Sequence, residues 1–209
     1  MTSNLVLPVP MPLLTPAAAR FGRSYQGFIP LFCIESLGWD ALYIGYLLSI
    51  TGIFAMLWQP LFFPPLARRF GMRSCYIWHG WSFAFSCAAV PFLGVLAGRE
   101  AWLWPVFVTQ HSVLWQGGYL TGWGAGTTMI MNSAAPGEMG STQGLLAVMQ
   151  AVFNSVAPTA GGALWNATLF LPGAWHPRVC FGCVGVLALG LVWLGVLLPR
   201  SLERAKRPG

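Results

Sequence analysis

Long apolar runs alternate along the chain with short polar segments that contain glycine, proline or arginine. A membrane-crossing helix needs about 20 residues, and five runs reach that length: residues 42–65, 75–97, 101–131, 142–171 and 179–198. Charged side chains lie almost entirely between these runs. The pattern predicts an all-α, polytopic membrane helix bundle over residues 41–198, followed by a basic tail at 199–209.

The first 40 residues do not follow this pattern. Met1–Ala19 is apolar but contains four prolines, which disfavour a helix interior because each removes a backbone donor, and Arg20 and Arg23 follow. The next apolar stretch, Phe28–Ile34, is too short to span a bilayer alone. The sequence therefore predicts an irregular segment over residues 1–40 with a degraded first helix, and it leaves open whether this segment crosses the membrane.

Composition strengthens the membrane prediction and argues against a soluble domain or a nucleic-acid-binding protein. The 209 residues are 56% hydrophobic and 8% charged, with a mean hydropathy of +0.64, whereas soluble domains are about 45–50% apolar and about 25% charged. The formal net charge is +6, but the basic residues sit in short clusters between apolar runs. Such clusters set the orientation of a membrane protein and do not form a continuous basic surface that contacts a nucleic-acid backbone. We therefore expect the lipid bilayer as a partner and no nucleic acid.

The basic residues also predict an orientation. Arg68, Arg69 and Arg73 are separated from the basic tail by four apolar runs, so the two groups share one side of the membrane. Basic loops are enriched on the cytoplasmic side, which predicts a cytoplasmic location for this turn and for the C-terminus. The opposite side then holds Arg99, Glu100, His176 and Arg178.

A few polar side chains interrupt the apolar runs. Polar groups within hydrocarbon are expensive and tend to face a bundle interior or a wet cavity. The candidates for lining a substrate cavity are Gln59, Gln110, His111, Gln150 and Asn154. His111 fits either a substrate contact or proton carrier, or a neutral imidazole bonded to a neighbouring helix. Gln150 and Asn154 share one helix face, which Pro158 is expected to kink.

Glycines recur at four-residue intervals. Gly118, Gly122 and Gly126 form two overlapping small-residue steps on one helix face, a spacing that lets helices approach closely in lipid. Together with Gly161, they are predicted helix-packing positions. The same spacing fits static packing in one bundle or a seam that moves during transport.

Motifs of enzymes and metal sites are missing from the chain. It has no H-E-x-x-H, no G-x-S-x-G and no phosphate-binding glycine loop. A membrane-embedded enzyme using His79 and His111 would need a further ligand or carboxylate on the same face. We therefore expect no enzymatic activity, no cofactor and no metal.

Two stretches of sequence resemble a known family. The run Leu61-Phe62-Phe63-Pro64-Pro65-Leu66-Ala67-Arg68-Arg69-Phe70-Gly71-Met72-Arg73 resembles the basic turn between the eighth and ninth helices of major facilitator superfamily transporters. The turn motif itself comprises Arg68, Arg69, Gly71 and Arg73. A second stretch begins at Met131-Asn132-Ser133-Ala134-Ala135-Pro136-Gly137-Glu138-Met139-Gly140 and continues through Gln143-Gly144, Pro158, Gly161-Gly162 and Leu164-Trp165. It is similar to the tenth-to-eleventh helix region of the drug:proton antiporter and zinc-induced-facilitator-like branch.

The resemblance covers about residues 25–202 and implies the C-terminal six-helix half of such a transporter. It implies proton-coupled transport of a small molecule between two halves, so a truncated half is expected to need a separate N-terminal half or a second copy. The alternative is a non-transporting membrane subunit or inactive fragment. The chain departs from the family at Arg68, where an acidic residue is frequent, and at Asn154, where the branch often has arginine.

Overall fold

The computed structural model describes residues 14–95, 102–134, 137–173 and 175–199, with side chains from residue 25 onward except that of residue 95. The predicted tail from residue 200 onward, residues 1–13, and Arg99 and Glu100 lie outside the described residues. The described chain is helical: α1 is Leu14–Glu35, α2 Ala41–Leu61, α3 Phe63–Phe70 and α4 Met72–Val95. Then follow α5 Leu103–Thr109, a π-helical segment Gln110–Gly117, α6 Gly118–Ser133, α7 Met139–Ala167 and α8 Trp175–Leu197.

The N-terminal segment differs from its predicted irregular state, because residues 14–35 form one continuous 22-residue helix. Pro16 lies in the first turn, where its missing N–H has no intrahelical partner. Pro30 lies inside α1 and removes one hydrogen bond, but Phe28, Ile29 and Phe32 around it are fully or almost fully buried. Tertiary packing outweighs the local cost of the proline, which sequence pattern alone did not show.

The predicted run 42–65 is also shorter than expected. α2 ends at Leu61, and a separate helix, α3, begins at Phe63 with prolines in its first turn. Pro64 and Pro65 lack the amide hydrogens that would continue the bonding of α2, but they fit the start of a new helix. The remaining helix ends within the described chain fall within about four residues of the predicted runs.

Helix α1 contributes a fully buried aromatic face to the bundle, with Tyr25, Phe28 and Phe32 inside. It packs against α7 on one side and α8 on another, while α4 packs against α8 and α6. Helix α5, the π-helical segment and α6 follow one another directly and are called the α5–α6 rod. The main apolar core joins side chains from α1, α4, this rod and α8, and includes Tyr25, Phe32, Phe83, Trp115 and Phe181. A smaller core around Tyr76, Met129 and Leu191 closes the end of the bundle near α3.

The outer surface of the bundle is apolar. Large hydrophobic side chains are exposed on most helices, for example Met56 at 70%, Trp78 at 67% and Val186 at 69%. Within the described chain, two helices are long and apolar enough to cross a membrane by length and composition: α2, with a mean hydropathy of 1.7, and α8, with 2.4. An apolar exterior of this extent is typical of an interaction surface or a lipid-facing one.

Candidate functional site

A polar cavity opens between α1, α2 and the π-helical segment. It has a volume of about 330 Å³ and is lined by Gln26, Ile29, Pro30, Leu48, Thr51, Gly52, His111, Trp115 and Gln116. Two larger grooves of the described chain, of about 540 and 400 Å³, are lined mainly by apolar side chains. Ligand sites combine an apolar lining with a few convergent polar groups, so the smaller cavity is the better candidate.

The π-helical segment Gln110–Gly117 gives this cavity its shape. The sequence predicts one uninterrupted helix over 101–131, whereas the structure widens eight residues of it into π-helix. π-helical turns are rare and are found frequently at functional sites.

A stack of aromatic rings runs along α5, the π-helical segment and α6. Phe107, His111, Trp115, Tyr119 and Trp123 follow at four-residue intervals, and each ring stacks on the next at centroid distances of 6.2, 4.8, 5.8 and 6.4 Å. Sequence reasoning missed this stack, although the four-residue recurrence of aromatic residues is visible in the printed chain. It supplies a planar apolar face beside the polar groups of the cavity.

His111 is held within this stack. Its ring lies 4.8 Å from the ring of Trp115 and 5.8 Å from that of Tyr25, nearly parallel to both. The side chain is only 2% exposed, and its Nδ1 atom makes no hydrogen bond to any described residue. Because buried polar atoms in native proteins nearly always have a partner, this nitrogen is free to bond a water or ligand in the adjoining cavity.

Hydrogen bonds behind the cavity fix its polar side chains. Gln110 donates through Nε2 to Ser86 Oγ, and the Tyr25 hydroxyl lies 3.2 Å from the same oxygen. Thr51 Oγ1 donates to the Leu47 carbonyl at 2.7 Å, and it lies 3.4 Å from Ser112 Oγ. These bonds connect α2 and α4 to the π-helical segment, and α1 to α4.

The structure brings together only some of the predicted cavity residues. His111 lines the cavity, whereas Gln110 lines the larger apolar groove of about 540 Å³. Gln59 lies eight residues beyond Thr51 along α2. Gln150 is half-buried and Asn154 exposed on α7, which is not among the elements lining this cavity. Spacing along the chain did not single out Tyr25, Gln26 and Thr51, because contacts between helices decide their proximity.

The predicted motif turn joins α3 to α4. Arg68 and Arg69 are exposed in the last turn of α3, with the Arg69 guanidinium 5.5 Å from the Phe70 ring centre. Gly71 follows with a φ of 83°, a conformation that favours glycine. Arg73 then donates from Nε to the Gly195 carbonyl at 3.2 Å and from Nη2 to that of Val196 at 2.6 Å. This arginine therefore satisfies carbonyls at the C-terminal end of α8.

Substituting glutamine for Arg73 is expected to lower the free energy of unfolding by about 1–2 kcal/mol. Charge-assisted hydrogen bonds contribute about this much, and a cation near a helix C-terminus is favourable. Thermal or denaturant unfolding of the protein in detergent, followed by circular dichroism, measures the change. The matched control is Arg68→Gln in the exposed part of the turn, and an equal loss in both variants would contradict the role of Arg73.

The predicted helix-packing glycines differ in their surroundings. A Cβ added at Gly118 would lie 2.6 Å from Ser82 Oγ, and one at Gly122 would lie 2.3–2.4 Å from the ring and Cβ of His79. These two glycines thus lie where α6 meets α4. Gly126 is buried on the same helix, and Gly161 lines the apolar groove between α1, α7 and α8.

Metal-ligating side chains do not gather anywhere in the described part of the chain: no three His, Cys, Asp or Glu residues come close enough to hold an ion. The aromatic stack and the polar groups at the cavity instead suit binding of a small organic molecule by stacking and hydrogen bonding.

Comparison with known proteins gives one match. The family model described as Major Facilitator Superfamily matches residues 5–158, which is more than half of the 209-residue chain. No curated protein and no solved structure matches the chain.

Proposed function

The chain belongs to the major facilitator superfamily, and from this premise we propose that it forms the C-terminal six-helix half of a secondary transporter whose substrate passes along the cavity at His111. The bundle has six proposed membrane-spanning rods. Four are the single helices α1, α4, α7 and α8. The fifth combines α2 with α3, and the sixth combines α5, the π-helical segment and α6. The observation that carries the proposal is a cavity that combines polar side chains with the stacked rings of His111 and Trp115, in a bundle whose described exterior is largely apolar.

The apolar exterior supports a membrane position for all six rods and not only for α2 and α8. Trp78 and Phe85 on α4, Val152 on α7 and Val106 on α5 are exposed. In water, a protein with such a surface would aggregate, whereas the acyl chains of lipids cover it without a free-energy penalty. Basic residues at the α3–α4 turn favour a cytoplasmic position for that end of the bundle. Arg73 brings the C-terminal end of α8 to the same side.

Exposed polar side chains of α7, which lie beside the exposed Val152 and Val156, support a facing partner along part of this helix. On α7, Asn154, Ser155 and Thr159 are exposed, and the two hydroxyls bond back to carbonyls of their own helix. Transporters of this superfamily bind substrate between two six-helix halves that rock against each other. A facing half, whether joined to this one, encoded separately or provided by a second copy, would complete the pathway.

The chemistry of the cavity favours a small molecule with a planar ring and few charges. The lining supplies amide, hydroxyl and imidazole groups next to the stacked rings of Trp115 and His111, and no carboxylate or guanidinium is among the lining residues. The resemblance of the α3–α4 turn to the drug:proton antiporter branch supports proton coupling, for which His111 is the candidate carrier in this cavity.

Cysteine accessibility tests whether this cavity is a water-filled pathway. In a Cys183→Ala background, which removes the one exposed thiol of the described chain, we compare Gly52→Cys with Ile53→Cys. Gly52 lines the cavity with space around its Cα, whereas the adjacent Ile53 is exposed on the apolar exterior. A membrane-impermeant cationic methanethiosulfonate is expected to label Gly52→Cys in native membranes and to leave Ile53→Cys unlabelled.

The complementary measurement follows transport itself. Proteoliposomes containing the chain alone are expected to show no uptake of planar fluorescent dyes under a pH gradient, and co-expression with a facing six-helix half is expected to restore it. Equal labelling of both cysteines would contradict the proposed pathway. Gradient-driven uptake by monomers of the chain alone would contradict the need for a facing half.

A further inference from the structure

The short helix α3 presents a mixed apolar and basic surface on its outer side. Four residues there are partly or fully exposed: Phe62, which caps the helix, Pro65, Arg68 and Arg69. They recur at intervals of three and four residues, so they lie on one side of the helix, and we call this side the α3 face. The Arg69 guanidinium lies 5.5 Å from the centre of the Phe70 ring. The α3 face therefore combines two guanidinium groups with apolar rings.

Packing on the opposite side of α3 fixes this orientation. Ala67 is buried in the smaller core, and Phe63 and Leu66 pack against that core. The Phe63 ring lies directly on α6, because a Cβ added at Gly124 would be 2.8 Å from its Cζ atom. Rotation of α3 about its axis would remove these contacts, so the α3 face stays on the outside of the bundle.

The two arginines of the α3 face have no counter-charge within the described chain. The ion-pair contact among the described residues joins Glu35 to His176 at 3.8 Å, and Glu35 ends α1 at the other end of the bundle. Glu138 is exposed between α6 and α7 but forms no ion pair with Arg68 or Arg69. Two adjacent positive charges repel each other, so an anion placed between them would be stabilised.

The neighbouring Arg73 shows how the fold uses an arginine when it needs one. Its Nε and Nη2 atoms donate to the carbonyls of Gly195 and Val196. The guanidinium groups of Arg68 and Arg69, in contrast, make no hydrogen bond to any described residue. Their donors are therefore available to a molecule outside the bundle.

The α3 face lies where the apolar exterior of α2 ends. Helix α2 has a mean hydropathy of 1.7, and its last residue, Leu61, is 59% exposed. The rings of Phe54, Trp58 and Phe62 stack along this end at centroid distances of 5.2 and 4.8 Å. Aromatic belts lie at the headgroup level of a bilayer, and arginine side chains reach from the acyl region toward the headgroups. Phospholipid phosphates therefore lie at the depth of the α3 face.

We propose that the α3 face binds the headgroup of an anionic phospholipid. Arg68 and Arg69 donate hydrogen bonds to the phosphate oxygens, for which the planar guanidinium is well suited, while Phe62 and Pro65 contact the glycerol and the upper acyl chain. A zwitterionic headgroup carries its own cation beside the phosphate, which weakens its attraction to two arginines. This inference rests on the proposed membrane position of the bundle, but it does not depend on transport.

Native mass spectrometry of the full chain in detergent tests the inference, because it counts the lipids bound to each protein molecule. The probes are phosphatidylglycerol and phosphatidylcholine with identical acyl chains. The wild type is expected to prefer phosphatidylglycerol by more than about fivefold. Arg68→Gln and Arg69→Gln are each expected to lower the affinity for phosphatidylglycerol about fivefold, and the double variant about 25-fold, since each basic residue near anionic headgroups contributes about this factor.

Arg178→Gln is the matched control for the single variants. It removes the same charge at the opposite end of the bundle, at the start of α8, and the preference for phosphatidylglycerol is expected to remain. Far-UV circular dichroism checks that each variant keeps its helices. An unchanged preference in the double glutamine variant, or an equal loss in Arg178→Gln, would overturn the proposal. Displacement of the lipid by equimolar inorganic phosphate would overturn the assignment to a lipid.

Alkaline carbonate extraction of native membranes checks the membrane position separately. A wild-type chain that resists extraction but binds both lipids equally would overturn this inference alone. Release of the chain by carbonate would contradict the membrane position on which both proposals rest. The two failures are therefore distinguishable.

Discussion

Gly122→Ala is expected to destabilise the bundle by about 2–3 kcal/mol, because overpacking a tight interface costs about this much. The added Cβ would lie 2.3–2.4 Å from Cβ, Cγ and Cδ2 of His79. These atoms are at the base of a fully buried side chain that stacks on Phe83 at 5.8 Å, so they cannot rotate away. Helices α4 and α6 must separate, and unfolding in detergent followed by circular dichroism measures the loss.

Gly144→Ala provides the matched control for this prediction. Gly144 also lies inside a helix, but nothing lies within 4 Å of an added Cβ there, and alanine favours helix over glycine by up to about 1 kcal/mol. The free energy of unfolding of Gly144→Ala should be unchanged or slightly higher than that of the wild type. In a His79→Gly background, which removes all three of these atoms, the added effect of Gly122→Ala should largely disappear. If the two alanine variants lose equal stability, the close approach of α4 and α6 is not the cause.

Trp115→Ala is expected to lower the free energy of unfolding by about 3 kcal/mol or more. The side chain is 1% exposed and stacks on Tyr25, His111 and Tyr119 at 5.0, 4.8 and 5.8 Å. Removing a buried Trp side chain leaves a cavity and costs about 3–5 kcal/mol in protein cores. The new space would join the cavity of about 330 Å³ that Trp115 lines, so its surroundings cannot collapse to fill it.

Trp81→Ala is the control for Trp115→Ala, because Trp81 is 57% exposed on α4. Its removal should change stability by less than about 1 kcal/mol in detergent. Denaturant unfolding of both variants compares the two positions. A loss at Trp81 as large as that at Trp115 would mean that the ring stack does not hold α1 against the α5–α6 rod.

Parts of this fold could be read directly from the pattern of residues. The start of α2 and the positions of α4, α7 and α8 follow from the apolar runs to within about four residues. The basic turn also led to the family, which the match over residues 5–158 confirms. Local rules sufficed here because length, charge and backbone conformation are properties of neighbouring residues.

Other parts required the folded chain. The π-helical segment interrupts a run that reads as one helix, and α1 continues through Pro30 because its buried aromatic side chains hold it in place. Of the predicted cavity residues, Gln110 and His111 meet the groups of α1 and α2, whereas Gln150 and Asn154 lie on α7. Spacing along one helix defines its faces, but it does not say which neighbour each face meets.

The sequence by itself determined that this chain is helical and apolar, because the length of an apolar run and the placement of charges are properties of each segment separately. Only the tertiary structure decided which polar groups meet, as in the pairing of Gln110 with Ser86 and of Glu35 with His176. The physical reason is that lipid provides little hydrophobic force between helices. Their rotation and neighbours are therefore set by close packing and a few hydrogen bonds between residues far apart in the chain.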